Sequence, residues 1–261
     1  MRKIKLKISQ SLKDFFEEIG DMVIFTGRVI RQFFKGPFEH RELLKQAYYI
    51  GNKTFPLVAI TGFIMGLVLT LQSRPMLVNF GAKSLLPGMI AISIIREIGP
   101  VITALLCAGK ISSGIGAELG AMKVTEQLDA MDVSGTKPLN FVVASRVLAT
   151  TILVPILVFW ADAMGLLGSY VAVIMREPMP VELYISLAFD ALNFEDFIPS
   201  TIKTVFFGFF IGLIGSYKGY NTNAGTESVG LSANSAVVTA SLVIFIIDLL
   251  AVQVTDLIYG I

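Results

Sequence analysis

Five ionisable side chains, Arg96, Glu97, Asp162, Lys203 and Asp248, stand in stretches otherwise apolar enough to cross a membrane. An unpaired charge facing lipid costs roughly 2.5–3.5 kcal/mol on insertion scales. These groups must therefore face the protein interior or a wet cavity, and they must pair. Glu97 with Lys203 and Lys203 with Asp248 are the expected pairs. Arg96 and Glu97 are adjacent, so on a helix they point about 100° apart and cannot make the same contact. The chemistry open to such groups is charge handling rather than bond making. Arg96, Glu97, Lys203 and Asp248 would form a polar station on a transport path, or they would be glue between helices. Asp162 is less firmly placed, because a small shift of its span brings it nearer an interface.

Other chemistry is scarce in this chain. Cys107 is its one cysteine, which excludes a disulfide framework and a cysteine-based zinc site. His40 is its one histidine, so triads and paired-histidine metal sites lack material. Cys107 reads as a small buried apolar residue and His40 as an interfacial polar one. Gly109-Lys110 lacks the upstream glycine and the following Ser or Thr of a P-loop, so the chain has no nucleotide site of that kind. Neither H-E-x-x-H nor G-x-S-x-G occurs, and no metal or cofactor is expected. A net charge of +1 provides no basic field for nucleic acid.

The elements that must carry these residues are membrane helices. The 261 residues are 54% hydrophobic and 16% charged, against about 25% charged in an ordinary soluble domain. The expected fold is an all-α integral membrane protein with a single domain over 1–261. Residues 54–73 carry no Asp, Glu, Lys or Arg, and twenty residues rising 1.5 Å each cover about 30 Å, the hydrocarbon thickness. The other spans are 84–109, 147–175, 198–217 and 228–259. The second has Arg96 and Glu97 at its centre and, with Pro100 following, is expected to kink there. Gly62-x-x-x-Gly66 and Gly208-x-x-x-Gly212 allow close helix approach, either inside the fold or between two copies. No internal inverted repeat is visible, which weighs against a self-contained secondary transporter.

Cationic residues are distributed unevenly about these spans. Residues 1–53 hold eleven Lys/Arg, the 110–146 loop holds Lys110, Lys123, Lys137 and Arg146, and Lys218 follows span four. These sixteen fall on one side; Arg74, Lys83 and Arg176 fall on the other. The positive side is expected to be cytoplasmic, placing the N-terminus inside. Residues 1–50 form an interfacial region. Within it, 11–35 repeats apolar residues near a 3.6 period (Leu12, Phe15, Phe16, Ile19, Met22, Val23, Val29, Ile30, Phe33, Phe34), with charges too frequent to span. An amphipathic helix in the headgroup plane is expected, with a soluble helix packed on a partner as its rival. A signal peptide is rejected, since no uninterrupted apolar run follows the basic start.

The 110–146 loop is neither a flexible linker nor a charge run. Glu118 to Met131 reads as one helix, stopped at Asp132-Val133-Ser134-Gly135 and again by Pro138. Such a helix suits insertion into a groove on a cytoplasmic partner, or it merely ties two spans together.

Several motifs together are similar to a known family. Ile95-Arg96-Glu97-Ile98-Gly99-Pro100-Val101, Ala108-Gly109-Lys110, Ala117-Glu118-Leu119-Gly120-Ala121-Met122 and Thr125-Glu126-Gln127-Leu128-Asp129-Ala130-Met131 resemble the MlaE/YrbE permeases, the membrane subunits of bacterial phospholipid ABC transporters. Lys203 and Asp248 also fall where that family has intramembrane charges. The resemblance implies a homodimer in the bacterial inner membrane, carried on a cytoplasmic ABC ATPase dimer and lying beneath a periplasmic ring of MCE-domain lipid-binding proteins. It makes the 110–146 loop the coupling segment, with Glu126, Gln127, Leu128, Asp129 and Met131 as ATPase contacts. It puts a phospholipid cavity between the two copies, open toward the periplasm, around the outer part of span one, here Leu69, Met76, Leu77 and Phe80. Arg74-Pro75 departs locally from that pattern; Arg74 would meet a lipid phosphate or serve as an interfacial anchor.

The function expected on these grounds is the permease subunit of a transporter moving phospholipids between inner and outer membranes, with ATP hydrolysed by a partner. The alternatives are an ion- or proton-coupled secondary transporter using Glu97, Lys203 and Asp248 as a relay, and a scaffold without transport. Lys203→Ala is expected to impair function or assembly more than Lys218→Ala.

Overall fold

The computed structural model describes residues 2–33, 40–223 and 225–259, with side chains in the first helix described for residue 13 and from residue 16 on. Every regular element among them is helical. They are α1 (Arg2–Phe33), α2 (His40–Asn79), α3 (Leu86–Ser93), α4 (Gly99–Cys107), α5 (Ser113–Val124), α6 (Gln127–Val133), α7 (Ser145–Ile174), α8 (Val181–Asp190), α9 (Phe194–Tyr220) and α10 (Thr226–Tyr259). Single π-turns at Ile94–Ile98 and Ala108–Ser112 join α3, α4 and α5 into one continuous run, and a third at Leu139–Ala144 leads into α7. Among the described residues, five helical runs are long and apolar enough to cross a membrane: His40–Asn79, Lys83–Val124, Leu139–Ile174, Phe194–Tyr220 and Thr226–Tyr259.

Small residues set the helix packing. In lipid no hydrophobic gain drives one helix onto another, so close backbone approach and hydrogen bonds must do it. α2 and α7 lie parallel with matched small residues: Gly62 on Ala161, Gly66 on Gly165, Thr70 on Ser169. A Cβ at Gly62 would lie 2.5 Å from the Ala161 carbonyl oxygen. One turn beyond Gly66, Thr70 Oγ1 and Ser169 Oγ are 2.6 Å apart. The second G-x-x-x-G is used in the same way, with Gly208 and Gly212 seated against Thr150 and Val147 of α7. Both motifs thus serve internal packing. The main core lies where α5, α7 and α9 meet, around Leu119, Val143, Val147, Phe207, Ile211 and Ile214. A smaller one joins α3, α7 and α8 around Leu86, Ile90, Ile94, Val173 and Tyr184.

One end of the bundle carries Lys53, Lys110, Arg146 and α6; the other carries α8 with Glu177, Glu182, Asp190 and Asp196. They are called the basic and acidic ends below.

The structure moves several expected boundaries. α2 is unbroken from His40, so residues 40–53 are its first turns rather than part of a separate interfacial region. Glu118–Met131 is not one helix: α5 ends at Val124, and Glu126 takes a left-handed backbone (φ 58°) before α6 starts. Arg146 is no loop cation but a buried helical residue, 3% exposed, which its Nη1 bond to the Val142 carbonyl (2.7 Å) and Nη2 bond to Glu118 (2.8 Å) make tolerable.

α1 shows two apolar faces rather than one. Phe25 and Val29 pack into the main core, with Phe25 edge-on to Tyr217 at 5.5 Å, and Lys218 is bonded to Glu18. Phe16, Ile19, Val23, Ile24 and Ile30 are exposed. Phe34, and the side chains of Leu12 and Phe15, lie outside the described residues.

Candidate functional site

Pro100 follows directly on a π-turn in the second run. The Gly99 N–H reaches back five residues to the Ile94 carbonyl, closing a π-turn over Ile94–Ile98. Pro100 has no N–H to offer, so the Ile95 carbonyl has no helical donor. Ser200 Oγ of α9 donates to it at 2.6 Å. The turn that carries Arg96 and Glu97 is thereby tied to α9. Ser200→Ala should orphan a buried carbonyl and lower stability by about 1 kcal/mol, read as a reduced thermal midpoint in detergent.

The two adjacent charges find separate partners. Lys203 Nζ lies 2.8 Å from Glu97 Oε2 and 3.0 Å from Asp248 Oδ1, and its side chain is 4% exposed. Arg96 bridges Asp196 at 3.8 Å and Asp256 at 3.6 Å. Two layers of charge therefore stack between α9, α10 and the π-turn, the Arg96 layer nearer the acidic end. Asp196, Asp256 and Ser200 belong to this assembly, and neither aspartate was among the five charges expected at membrane depth. Helical spacing held the signal: Asp196 precedes Lys203 by two turns on α9, and Asp256 follows Asp248 by about two turns on the antiparallel α10. Asp162 stands apart. It is buried against Gly99, and its Oδ1 has no hydrogen-bond partner among the described residues.

The charge layers border an apolar groove. Pro199, Lys203, Ala251 and Thr255 line both the charged cleft and a neighbouring groove of about 520 Å³ between α9 and α10. The groove's other walls are apolar, among them Ile202, Phe206, Leu250 and Val254. One surface thus offers charge at one end and hydrocarbon contact along its length.

The residues expected around a lipid cavity at the outer part of span one divide between packed and exposed positions. Leu69 and Leu77 pack on the smaller core, whereas Met76 and Phe80 are 67% and 80% exposed. Met76 and Phe80 thus face outward from one chain, while Leu69 and Leu77 face its interior. Arg74 and Lys83 both pair with Glu177, which clamps the end of α2 to the loop between α7 and α8.

At the basic end, the segment after α5 divides in the same way. Glu126, Gln127 and Asp129 are exposed, Asp129 pairing with Lys123 at 2.9 Å. Leu128 is only 2% exposed and Met131 packs on the main core, so these two anchor α6 rather than present a surface. Val133 is 91% exposed at the tip of α6, an apolar knob that sequence reasoning treated as part of a stop signal.

With this geometry in view, comparison with known proteins is informative. A family model described as Permease MlaE matches residues 43–254. The chain is 34% identical over 245 residues to a probable ABC transporter permease protein of Rickettsia typhi, covering 94% of this chain and 93% of that one. It is 31% identical over 236 residues to a probable ABC transporter permease protein of Synechocystis, covering 90% of each. It is also 31% identical over 225 residues to the chloroplastic protein trigalactosyldiacylglycerol 1 of Arabidopsis thaliana, covering 86% of this chain and 64% of that one.

Proposed function

Because the chain belongs to the MlaE permease family and is a multi-pass ABC transporter permease subunit, we propose that its cargo is phospholipid, moved between the inner and outer membranes of a bacterium. The observation that carries this reading is the joined cleft and groove of α9 and α10. The paired charges of the cleft, Arg96 and Lys203 with their carboxylates, give a polar end for a headgroup, and the 520 Å³ apolar groove beside them suits acyl chain, worth roughly 0.8 kcal/mol per buried CH₂. The chloroplastic relative, which bears the name of a lipid, supports the cargo class.

In this reading the basic end faces the cytoplasm, in keeping with the excess of Lys and Arg there. Two copies associate through lipid-facing surface. α10 is a candidate for that contact, with Leu242, Phe245, Leu249 and Leu257 all exposed. A periplasmic ring of MCE-domain proteins meets the acidic end. Energy comes from a cytoplasmic ATPase dimer pressing on the segment at α6. Its exposed face carries Glu126, Gln127, Asp129 and the Val133 knob, while Arg146 ties the base of α5 to the start of α7.

The test is lipid transfer between membranes by the purified permease–ATPase complex. ATP-dependent transfer that survives an uncoupler is expected; transfer that follows a pH gradient without nucleotide would overturn the reading in favour of a proton-coupled carrier. At the coupling segment, Val133→Asp should reduce ATPase co-purification about tenfold, the scale of one lost apolar anchor. Undiminished co-purification with both Val133→Asp and Glu126→Lys would remove α6 from the interface.

A further inference from the structure

A second cavity, of about 460 Å³, opens at the basic end between the first turns of α2 and the helical stretch 110–118. It lies far from the charged cleft of α9 and α10 and shares no lining residue with it. Ile50, Ile111 and Ile115 are buried and make one apolar wall. Lys53 and Lys110 line the same cavity. Lys53 is the last charge before the uncharged stretch 54–73, and Lys110 is the first after the uncharged stretch 98–109. Both ammonium groups therefore stand at the edge of the apolar slab, the depth of lipid phosphates.

Among the described residues, no carboxylate neutralises either lysine. Glu118, the one carboxylate of the lining, is engaged by Arg146 at 2.8 Å. Among the described residues Lys53 is held by the uncharged Tyr49, with Nζ 3.8 Å from the ring centre. Lys110 is exposed and has no ion pair among the described residues. It is carried on the π-turn Ala108–Ser112, and such turns recur at functional sites. Gly114 lines the cavity too, and a Cβ added there would meet nothing within 4 Å.

We infer that this cavity binds the headgroup of an anionic phospholipid from the leaflet at the basic end. Lys53 and Lys110 hold the phosphate, and the first carbons of an acyl chain lie on Ile50, Ile111 and Ile115. Net positive charge at phosphate depth beside an apolar wall selects an amphiphile over a free ion. The site does not depend on lipid being the transported cargo.

Native mass spectrometry of the full chain in detergent tests this, with phosphatidylglycerol, phosphatidylcholine and inorganic phosphate as separate probes. Phosphatidylglycerol should be retained in preference to phosphatidylcholine. The double variant Lys53→Gln, Lys110→Gln should weaken that retention roughly thirtyfold, on the scale of two membrane-proximal cations. Gly114→Leu fills the cavity without altering charge and should have a similar effect, while Lys137→Gln, outside the cavity, should have none. Wild-type retention by both the double variant and Gly114→Leu would overturn the proposal. So would displacement of the bound species by millimolar inorganic phosphate with no lipid preference, which would mark a free-anion site. The readout is equilibrium binding, so a failed transport assay leaves it standing, and the reverse also holds.

Discussion

Lys203→Ala should destabilise the protein by about 2–3 kcal/mol, less than a fully buried pair because Glu97 is partly exposed, and abolish transport, because it strands two carboxylates, Glu97 and Asp248, beside each other in the membrane. Lys218→Ala removes only the contact with a partly exposed Glu18 that helps hold α1, and its effect on the thermal midpoint should be much smaller. Equal, wild-type-like behaviour of both variants would end the case for the station. A triple variant, Glu97→Gln with Lys203→Met and Asp248→Asn, separates its two roles. It has no charge to strand, so its thermal midpoint in detergent should recover towards wild type. If it then complements a strain lacking the gene, the charges are only glue between α9, α10 and the π-turn. If it folds but stays inactive, the charges act in transport, which is the outcome expected from their position beside the apolar groove.

An equally large effect should follow from a residue without chemistry. In Gly66→Leu the new Cβ falls inside the van der Waals shell of the Gly165 carbonyl oxygen, a backbone atom that cannot swing aside. α2 and α7 would have to separate, breaking the Thr70–Ser169 hydrogen bond one turn away. Overpacking of this kind costs about 1–3 kcal/mol even where side chains can yield. Here little or no folded protein should be recovered by size-exclusion chromatography, and Gly66→Ala should lower the thermal midpoint. Gly230→Ala, at a position in α10 with open space around it, should be neutral or raise stability by up to about 1 kcal/mol through helix propensity. A wild-type midpoint for Gly66→Ala would show that α2 and α7 do not pack at this register.

Much of this was legible in one dimension. The number of spans and their approximate positions follow from charge-free lengths matched to the bilayer, as with residues 54–73. The pairing of Lys203 with Glu97 and Asp248 follows from the expense of a lone charge in lipid. The division of Arg96 from Glu97 follows from helical geometry. The missing P-loop pattern left the chain without a nucleotide site of that kind, and the family resemblance implied the ATPase partner.

Other features depend on helices meeting, and no periodicity contains them. The G-x-x-x-G spacings permit close approach, but only the tertiary structure decided that both are used against α7. The π-turn at Ile94–Ile98 arises from a balance between Pro100, which withholds a donor, and Ser200, which supplies one from a helix a hundred residues away. Hydropathy cannot show that exchange. Leu128 and Val133, two apolar residues on one short helix, have opposite fates because the left-handed Glu126 sets the direction in which α6 leaves α5. Solvation energy is a property of each residue and is written along the chain, so the composition by itself determined that this is a membrane protein and which charges must be satisfied. Contact is a property of pairs, so only the fold decided that Asp196 and Asp256 share Arg96, that Arg74 belongs to Glu177, and that two lysines distant in the chain line one cavity.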